Sequence, residues 1–291
     1  MHKLAYVLSM AIFTVATALS SSHAVATDVY VHPKIDLRFH DVLELLKSAL
    51  EATTEKYGPY ELRATKADLI ESRTLSETEK NRLVNIAWSS TSIEKEARLR
   101  AIRIPLRKGI LGYRISLVTD KGQKKLRDVE SLDALRALKV GQGEDWGDVA
   151  VYKHNKVKVL GVFQYNDLFT KLARNRYDLF PRGINEAFDE LAAHQKDYPN
   201  LKIEEDILLY YPWPYYFFMS KDNERLAQRV EDGLNKLIAD GRFDKIFQRR
   251  FGDDIARAHI KQRRIIYLDN PMLPADTPLQ RKELWFRPED A

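Results

Sequence analysis

The chain has 291 residues, no cysteine and a formal net charge of +5. Without cysteine it cannot carry a disulfide, a lipid-modified cysteine, a thiolate nucleophile or a Cys-based metal site. Its basic and acidic residues are interleaved, so the positive balance predicts a mixed solvated surface and not a nucleic-acid-binding patch. An apolar content of 44% is typical of a globular protein with buried cores and argues against disorder.

The N-terminal segment 1–26 has the pattern of a secretory signal peptide. Lys3 precedes the uncharged stretch 4–22, and Ala24 to Ala26 has the Ala-x-Ala form of a signal-peptidase site. The alternative is a membrane anchor, but the apolar run is interrupted by polar residues and is shorter than a spanning helix needs. We expect cleavage before Thr27 and a freely soluble, periplasmic mature protein.

The segment 28–109 predicts alternating strands and helices. A short strand at 29–31 precedes a helix whose apolar spacing indicates packing on a sheet by one face. That helix has apolar residues at Phe39, Val42, Leu43, Leu46 and Leu50. A second strand is predicted at 60–64, a polar helix over 68–84 and a further apolar run at 85–88.

Two loops of this segment follow predicted strands, and in an open α/β sheet such loops form the binding crevice. Arg38 lies in the first loop. Ser89, Ser90, Ser92 and Lys95 lie in or beside the second. These hydroxyl and cationic groups suit an anion. Helix capping is the alternative for the hydroxyls, and a solvated face is the alternative for the basic run 98–108.

The stretch Gly141 to Asp148, Gly-Gln-Gly-Glu-Asp-Trp-Gly-Asp, lies between a short apolar run and a helical pattern. Glycines permit positive φ and close backbone approach, and a helix start presents unsatisfied N–H groups. We expect a cradle for a small anion. A purely structural turn is the alternative. The residues expected to line the cradle are Gly141, Gln142, Gly143 and Trp146.

The segment 110–213 predicts a second small α/β lobe, because strands at 112–118, 157–162 and 177–181 alternate with helices. Arg182 lies just beyond the last of these strands, level with the Gly141 stretch. It is the best candidate of this segment for pairing with an anion. A structural ion pair is the alternative.

Glycines at 109–112 and prolines at 212–214 mark two crossings between lobes. We expect residues 28–109 and 214–291 to form lobe 1 and residues 110–213 to form lobe 2. The later part of lobe 1 predicts an amphipathic helix over 224–240, another around 243–251, and a proline-rich tail from Asp269 that runs over the surface.

The order of these features resembles family 3 of the extracytoplasmic solute-binding proteins, the amino-acid-binding type, over the whole mature chain. Thr91 to Lys95, ahead of Pro105, resembles the family's Thr-x-x-Arg followed by a proline. Three later stretches also resemble family patterns: 132–141 its Asp-Leu to Val-Gly stretch, 168–178 its Leu-x-x-Gly-Arg-x-Asp, and 226–252 its closing Asp-Gly to Phe-Gly.

This resemblance implies an α/β, two-lobed, type II periplasmic-binding-protein-like fold, each lobe a mixed sheet flanked by helices, with the solute enclosed between the lobes. Two residues of this chain differ from the family pattern. Lys95 takes the place of the family's carboxylate-binding Arg and lacks its planar fork. Arg182 lies in the region where the family places an Asp for the ammonium group. We therefore expect a small anionic solute, amino-acid-like or a carboxylate.

The leading interpretation is a monomeric, non-catalytic periplasmic binding protein that delivers a small molecule to a membrane transporter or sensor, without nucleic acid, cofactor or metal. The expected solute contacts are Tyr30, Arg38, Ser89, Ser90, Ser92, Lys95, Gly141, Gln142, Gly143, Trp146 and Arg182.

The alternative is an exported dehydratase-like enzyme on the same fold that uses a cleft carboxylic acid. The candidate acids are Glu144, Asp145, Asp148 and Glu186. No Ser-His-Asp order, His-Glu-x-x-His motif or metal spacing occurs among the seven histidines.

Overall fold

The computed structural model describes residues 26–290. The predicted signal peptide lies outside the described residues, apart from its last residue, Ala26. None of the helices in 26–290 is long and apolar enough to cross a membrane.

Strands and helices alternate along most of the chain. The strands are β1 (Asp28–His32), β2 (Tyr60–Ala64), β3 (Ile86–Ser90), β4 (Arg100–Ile102), β5 (Tyr113–Val118), β6 (Lys139–Gly143), β7 (Lys158–Val162), β8 (Phe180–Gly183), β9 (Lys202–Ile203), β10 (Ile207–Tyr210), β11 (Tyr215–Met219) and β12 (Arg264–Tyr267). The α-helices are α1 (His40–Ala52), α2 (Thr54–Tyr57), α3 (Glu71–Glu79), α4 (Ile93–Arg98), α5 (Asp120–Leu126), α6 (Leu132–Arg136), α7 (Asp148–His154), α8 (Tyr165–Ala173), α9 (Ala187–His194), α10 (Glu224–Ala239) and α11 (Arg242–Ala258).

A first core forms where α1 and α10 pack on β1, β3, β4 and β11. In α1 the apolar spacing buries Val42, Leu46 and Leu50, as the sequence predicted. β1 and β2 pair in parallel, and β11 lies between β3 and β4 in an antiparallel sheet. Arg229 of α10 is fully buried in this part of the molecule, where it pairs with Asp28 of β1 at 2.7 Å.

A second region of core surrounds the sheet β12-β10-β5-β8, with β9 added beside β5. The parallel pair β6–β7 lies next to it, since Val140 and Leu179 form a parallel bridge. The chain enters this region between β4 and β5 and leaves it between β10 and β11, while β12 returns to pair with β10. The division into two lobes at residues 109/110 and 213/214 stays a prediction.

The two cores are joined by α11 and by the C-terminal tail. Phe243 of α11 packs in the first core and Phe251 in the second. In the tail, Trp285 and Phe286 divide in the same way, and the Phe286 N–H donates to the Lys108 carbonyl at 2.7 Å. The tail was expected to run over the surface, but its aromatic pair is buried and fixes it against the first crossing.

Candidate functional site

A cleft of about 490 Å³ lies between the two cores. Residues attached to the first core form one wall. Arg114 of β5, the turn 185–186 and α9 form the other, and the crossing segments lie between the two walls. The lining residues are Arg38, Phe39, Ser90, Arg107, Leu111, Arg114, Asn185, Glu186, Asp189, Glu190, Trp213, Tyr215 and Arg250.

One wall of the cleft is aromatic. Phe39 and Tyr215 lie nearly parallel, with ring centroids 6.1 Å apart and an interplanar angle of 12°. The guanidinium of Arg107 lies 5.3 Å from the Phe39 ring and 5.6 Å from the Tyr215 ring. Asp41 accepts hydrogen bonds from Arg107 at both carboxylate oxygens, each 2.8 Å long. Arg107 therefore carries an internally neutralised charge and fixes the aromatic wall.

Three residues that line the cleft hold buried polar atoms without hydrogen-bond partners. Arg114 of β5 lies 3.2 Å from Asp148 and 3.5 Å from Glu186, yet its Nε has no hydrogen-bond partner. Asn185 Oδ1 and Trp213 Nε1 also lack one. An unpaired buried polar group costs about 1–3 kcal/mol, so three of them beside one cleft favour a ligand site.

Three charged residues of the cleft, Arg38, Arg250 and Asp189, have no strong internal partner. Arg38 belongs to the first wall; its nearest carboxylate is Asp36 at 3.5 Å, and the two side chains are 72% and 59% exposed. Asp189 lies in the first turn of α9, is exposed, and forms no ion pair with any described cation. Arg250 of α11 also lines the cleft, and it pairs with Asp254 at only 3.6 Å. The cleft therefore presents two weakly paired cations, Arg38 and Arg250, and one unpaired anion, Asp189.

The other acids of the α9 wall are paired. Burial alone would raise the pKa of Glu186, but the guanidinium groups of Arg182 and Arg114 outweigh burial and lower it below its ordinary value. The Gly183 N–H also donates to Glu186 at 3.0 Å. Glu186 is therefore ionised at neutral pH. Within residues 26–290, no group of three or more acidic or histidine side chains is placed to hold a metal ion.

A side chamber of about 190 Å³ adjoins the cleft and shares Arg38, Phe39 and Tyr215 with it. Glu71, the first residue of α3, lines this chamber, as does Trp88 of β3. The helix α3 is shorter than predicted: it spans Glu71–Glu79 and not 68–84, because residues 65–70 form the loop after β2 and residues 80–85 form the turn before β3.

Among the residues expected to contact the solute, Arg38 and Ser90 line the cleft. Tyr30 does not: it is fully buried in the first core, and its hydroxyl donates to the Leu226 carbonyl at 3.0 Å. Ser92 caps α4 by accepting from the Lys95 N–H at 3.2 Å, which is the capping alternative considered above. Ser89 and Lys95 bond to each other, with Lys95 Nζ donating to Ser89 Oγ at 2.6 Å.

The Gly141 stretch differs from the expected cradle. Gly141 and Gly143 lie in β6, and neither has a positive φ. A Cβ at Gly141 would overlap the Tyr177 ring, and one at Gly143 would overlap the Trp146 ring. The glycines therefore make room for aromatic side chains of the chain itself.

Gln142 and the start of the following helix also face other groups of the chain. The Gln142 side chain is fully buried; its Nε2 donates to the Pro181 carbonyl at 3.2 Å, and its Oε1 has no hydrogen-bond partner. Asp148 begins α7 with its own carboxylate, which accepts a hydrogen bond from Tyr211 and pairs with Arg114.

Arg182 lies within β8 and not beyond it, because this strand spans Phe180–Gly183 and not 177–181. Its side chain is stacked 4.5 Å from the Trp146 ring and pairs with Glu190 at 2.6 Å and Glu186 at 3.2 Å. This arrangement matches the structural ion pair that was the alternative for Arg182.

The sequence pattern did not single out Trp213, Asn185 or Asp189. Trp213 lies between two prolines at the second crossing, and this position was the feature that could have indicated a site. The aromatic-rich sequence around Trp213 instead predicts residues that lie mainly in the core. Asn185 lies in the turn before α9 and Asp189 in the first turn of that helix, and both line the cleft.

Comparisons with known proteins address the fold. No family model matches the sequence, and no curated protein matches it. The chain is similar to the solved structure of the probable amino-acid ABC transporter extracellular-binding protein YtmK from Bacillus subtilis, with 16% identity, a TM-score of 0.56, and coverage of 79% of this chain and 99% of that one. It is also similar to an ancestral arginine-binding protein bound to glutamine, with 16% identity, a TM-score of 0.50, and coverage of 78% and 99%.

The predicted fold class is confirmed by these two structures and by the sheets flanked by helices described above. The resemblance noted in the sequence thus holds at the level of fold: the chain has the two-lobed fold of the extracytoplasmic substrate-binding proteins.

Proposed function

We propose that this chain is a non-catalytic, periplasmic binding protein that encloses one small amino-acid-like solute in the cleft between its two cores. The observation that carries the proposal is that opposite walls carry a weakly paired cation, Arg38, and an unpaired anion, Asp189. A solute with a carboxylate and an ammonium group satisfies both, and its body lies against the aromatic wall.

The solute's carboxylate keeps the anionic group expected from the sequence. The ammonium group is added because the cleft is not uniformly cationic: Arg182 and Lys95, two of the expected cations, pair with carboxylates of the chain. Asn185 Oδ1 adds an unpartnered acceptor on the same side as Asp189, and Trp213 Nε1 adds an unpartnered donor.

A binding role is favoured over the dehydratase-like enzyme. That enzyme needs a cleft carboxylic acid that holds a proton near neutral pH. Among the four acids considered, Glu186 lines the cleft, and its lowered pKa keeps it ionised. Burial raises the pKa of Glu204 to about 7, but Glu204 is fully buried beside Arg263 and does not line the cleft.

We propose, from the same fold, that the protein acts as a monomer and passes its solute to a membrane transporter, with a membrane sensor as the other recipient. Both roles need a protein that changes shape when a solute bridges its walls. Arg38 and Asp189 on opposite walls are placed to make the solute such a bridge.

The test is a thermal-shift screen of the common L-amino acids, their decarboxylated amines, small carboxylates and neutral sugars. A ligand at 100 times its dissociation constant adds about 2.7 kcal/mol to stability, enough to raise the melting temperature by several degrees. We expect at least one amino acid to stabilise the wild type and to lose its effect in Arg38→Ala. Stabilisation by sugars alone would overturn the proposal.

A further inference from the structure

The ammonium group of Lys95 has every one of its donors engaged by the chain. Nζ donates to Ser89 Oγ at 2.6 Å, to the Ser90 carbonyl at 3.0 Å and to Glu71 Oε1 at 3.2 Å. A lysine ammonium has three N–H donors, so this set leaves none for a solute.

The Glu71 carboxylate binds to this group as a carboxylate ligand would. Its Oε1 accepts from Lys95 Nζ and also from Ser89 Oγ, the latter at 2.5 Å. An ammonium N–H and a hydroxyl thus donate to the same carboxylate oxygen, a geometry typical of anion sites. Lys95 Nζ and Ser89 Oγ, together named the Lys95 site, thus hold a carboxylate that the chain itself supplies, while the Ser90 carbonyl accepts a hydrogen bond from Lys95 beside it.

The Lys95 site adjoins the cleft. Ser90 lines the cleft, and Glu71 lines the side chamber that shares Arg38 and Tyr215 with it. The Lys95 side chain is 26% exposed and the Glu71 side chain 61% exposed. A carboxylate that enters from the cleft therefore meets the Lys95 site with Glu71 already in place.

Glu71 is free to leave this position. It is the first residue of α3, and its side chain makes its described hydrogen bonds to Lys95 and Ser89 alone. An exposed ion pair of this kind contributes about 0–1 kcal/mol, so a competing carboxylate displaces it at little cost.

We propose that Glu71 is an internal competitor at the Lys95 site: its carboxylate and a solute carboxylate exclude each other there, so a solute carboxylate binds only by displacing Glu71. The ligand class is a carboxylate. This inference rests on the proposed function for its biological meaning, because it makes Glu71 a residue that lowers affinity and selects among carboxylate solutes.

The experiment is a formate titration of the thermal stability of Glu71→Ala, with wild type as reference and sodium chloride at equal ionic strength as blank. Removal of the Glu71 carboxylate leaves room for formate on Lys95 and Ser89. At ten times its dissociation constant formate shifts the folded-to-unfolded ratio about tenfold. We expect this shift in Glu71→Ala and in Glu71→Ser, a second variant with a short side chain.

Two controls fix the position of the anion. Glu71→Gln fills the same space without charge, so formate should give no more stabilisation than chloride. In the double variant Glu71→Ala with Lys95→Met, the formate effect should disappear. Equal formate effects in wild type, Glu71→Ala and the double variant would overturn the proposal, as would no formate effect in either short-chain variant.

The readout separates this inference from the proposed function. Formate rescue needs neither the natural solute nor cleft closure, so it succeeds or fails whatever the cleft binds. If the amino-acid screen fails while rescue succeeds, the proposed function is wrong and the Lys95 site stands. If the screen succeeds while rescue fails, Glu71 is a structural partner of Lys95 and the cleft assignment stands.

Discussion

Arg182 donates two hydrogen bonds to Glu190, from Nε to Oε2 at 2.6 Å and from Nη2 to Oε1 at 2.7 Å. The two side chains are 10% and 14% exposed, and the Trp146 ring packs against the guanidinium. This bidentate pair ties β8 to α9 and orients the wall that carries Asp189. A cation expected to meet the solute thus positions the acids that face the cleft.

Arg182→Ala should destabilise the protein by about 3–5 kcal/mol, because it leaves Glu190 partly buried without its cation. Urea unfolding followed by circular dichroism measures this change. The matched control is Arg176→Ala, at an exposed position without an ion pair, which should change stability by less than about 0.5 kcal/mol. Equal effects of the two substitutions would show that the Arg182 pair is not structural.

Gly141→Ala should destabilise the protein by about 1–3 kcal/mol, because the added methyl group overlaps the buried Tyr177 ring. Gly252→Ala is the control: it lies inside α11, where the added methyl group meets Gln248 at 3.4 Å, and alanine favours a helix by about 1 kcal/mol. Thermal melts of both variants test the role of Gly141. If Gly141→Ala keeps full stability but loses solute binding, the glycine serves an anion cradle after all.

The free energy of unfolding should fall as the pH rises from about 5 to about 7, because of Glu204. Burial raises its pKa to about 7, although Arg263 opposes the shift. In this range the folded protein binds more protons than the unfolded chain, so each pH unit lowers the unfolding free energy by at most about 1.4 kcal/mol. Urea titrations across this range should show a flatter profile for Glu204→Gln. A wild-type stability that rises with pH to the same extent in both proteins would contradict this assignment.

Solute binding should change the tryptophan fluorescence, because Trp213 lines the cleft and Trp88 lines the side chamber. Trp213→Phe should remove most of the change at the emission maximum. It should also weaken binding by about 3- to 10-fold, since it deletes the unpartnered Nε1 donor. Trp285→Phe is a control away from the cleft and should leave both the signal and the affinity intact. A signal lost in Trp285→Phe instead would place the binding event elsewhere.

The elements of the first core were predictable because they depend on local periodicity. The apolar residues of α1 and α10 recur at helical spacing, and the structure buries Val230, Leu234 and Leu237 on one face of α10. A 3.6-residue period needs no knowledge of the partner surface. The tail was different: the two buried aromatic residues at 285 and 286 are too few to form a period.

The state of the charged residues was not predictable, because it depends on partners distant in sequence. Lys95 is bound by Glu71, 24 residues earlier in the chain. Without Glu71, the Lys95 ammonium group would be available to a solute. Arg38 and Asp189 carry the proposed site because the fold leaves them without such partners. Sequence alone placed Arg38 in the cleft loop but had no means to distinguish it from Lys95 in availability.

The most direct test of the central claim measures the affinities of three ligands for three proteins by titration calorimetry. The ligands are the L-amino acid that gives the largest thermal shift, its primary amide and its des-amino analogue. The proteins are the wild type, Arg38→Ala and Asp189→Asn. In the wild type we expect each missing ligand group to weaken binding by about 10- to 100-fold. The loss of affinity caused by the amide should vanish in Arg38→Ala and in no other protein. The loss caused by removing the amino group should vanish in Asp189→Asn and in no other protein. If both losses persist unchanged in both variants, Arg38 and Asp189 do not hold the two ends of the solute.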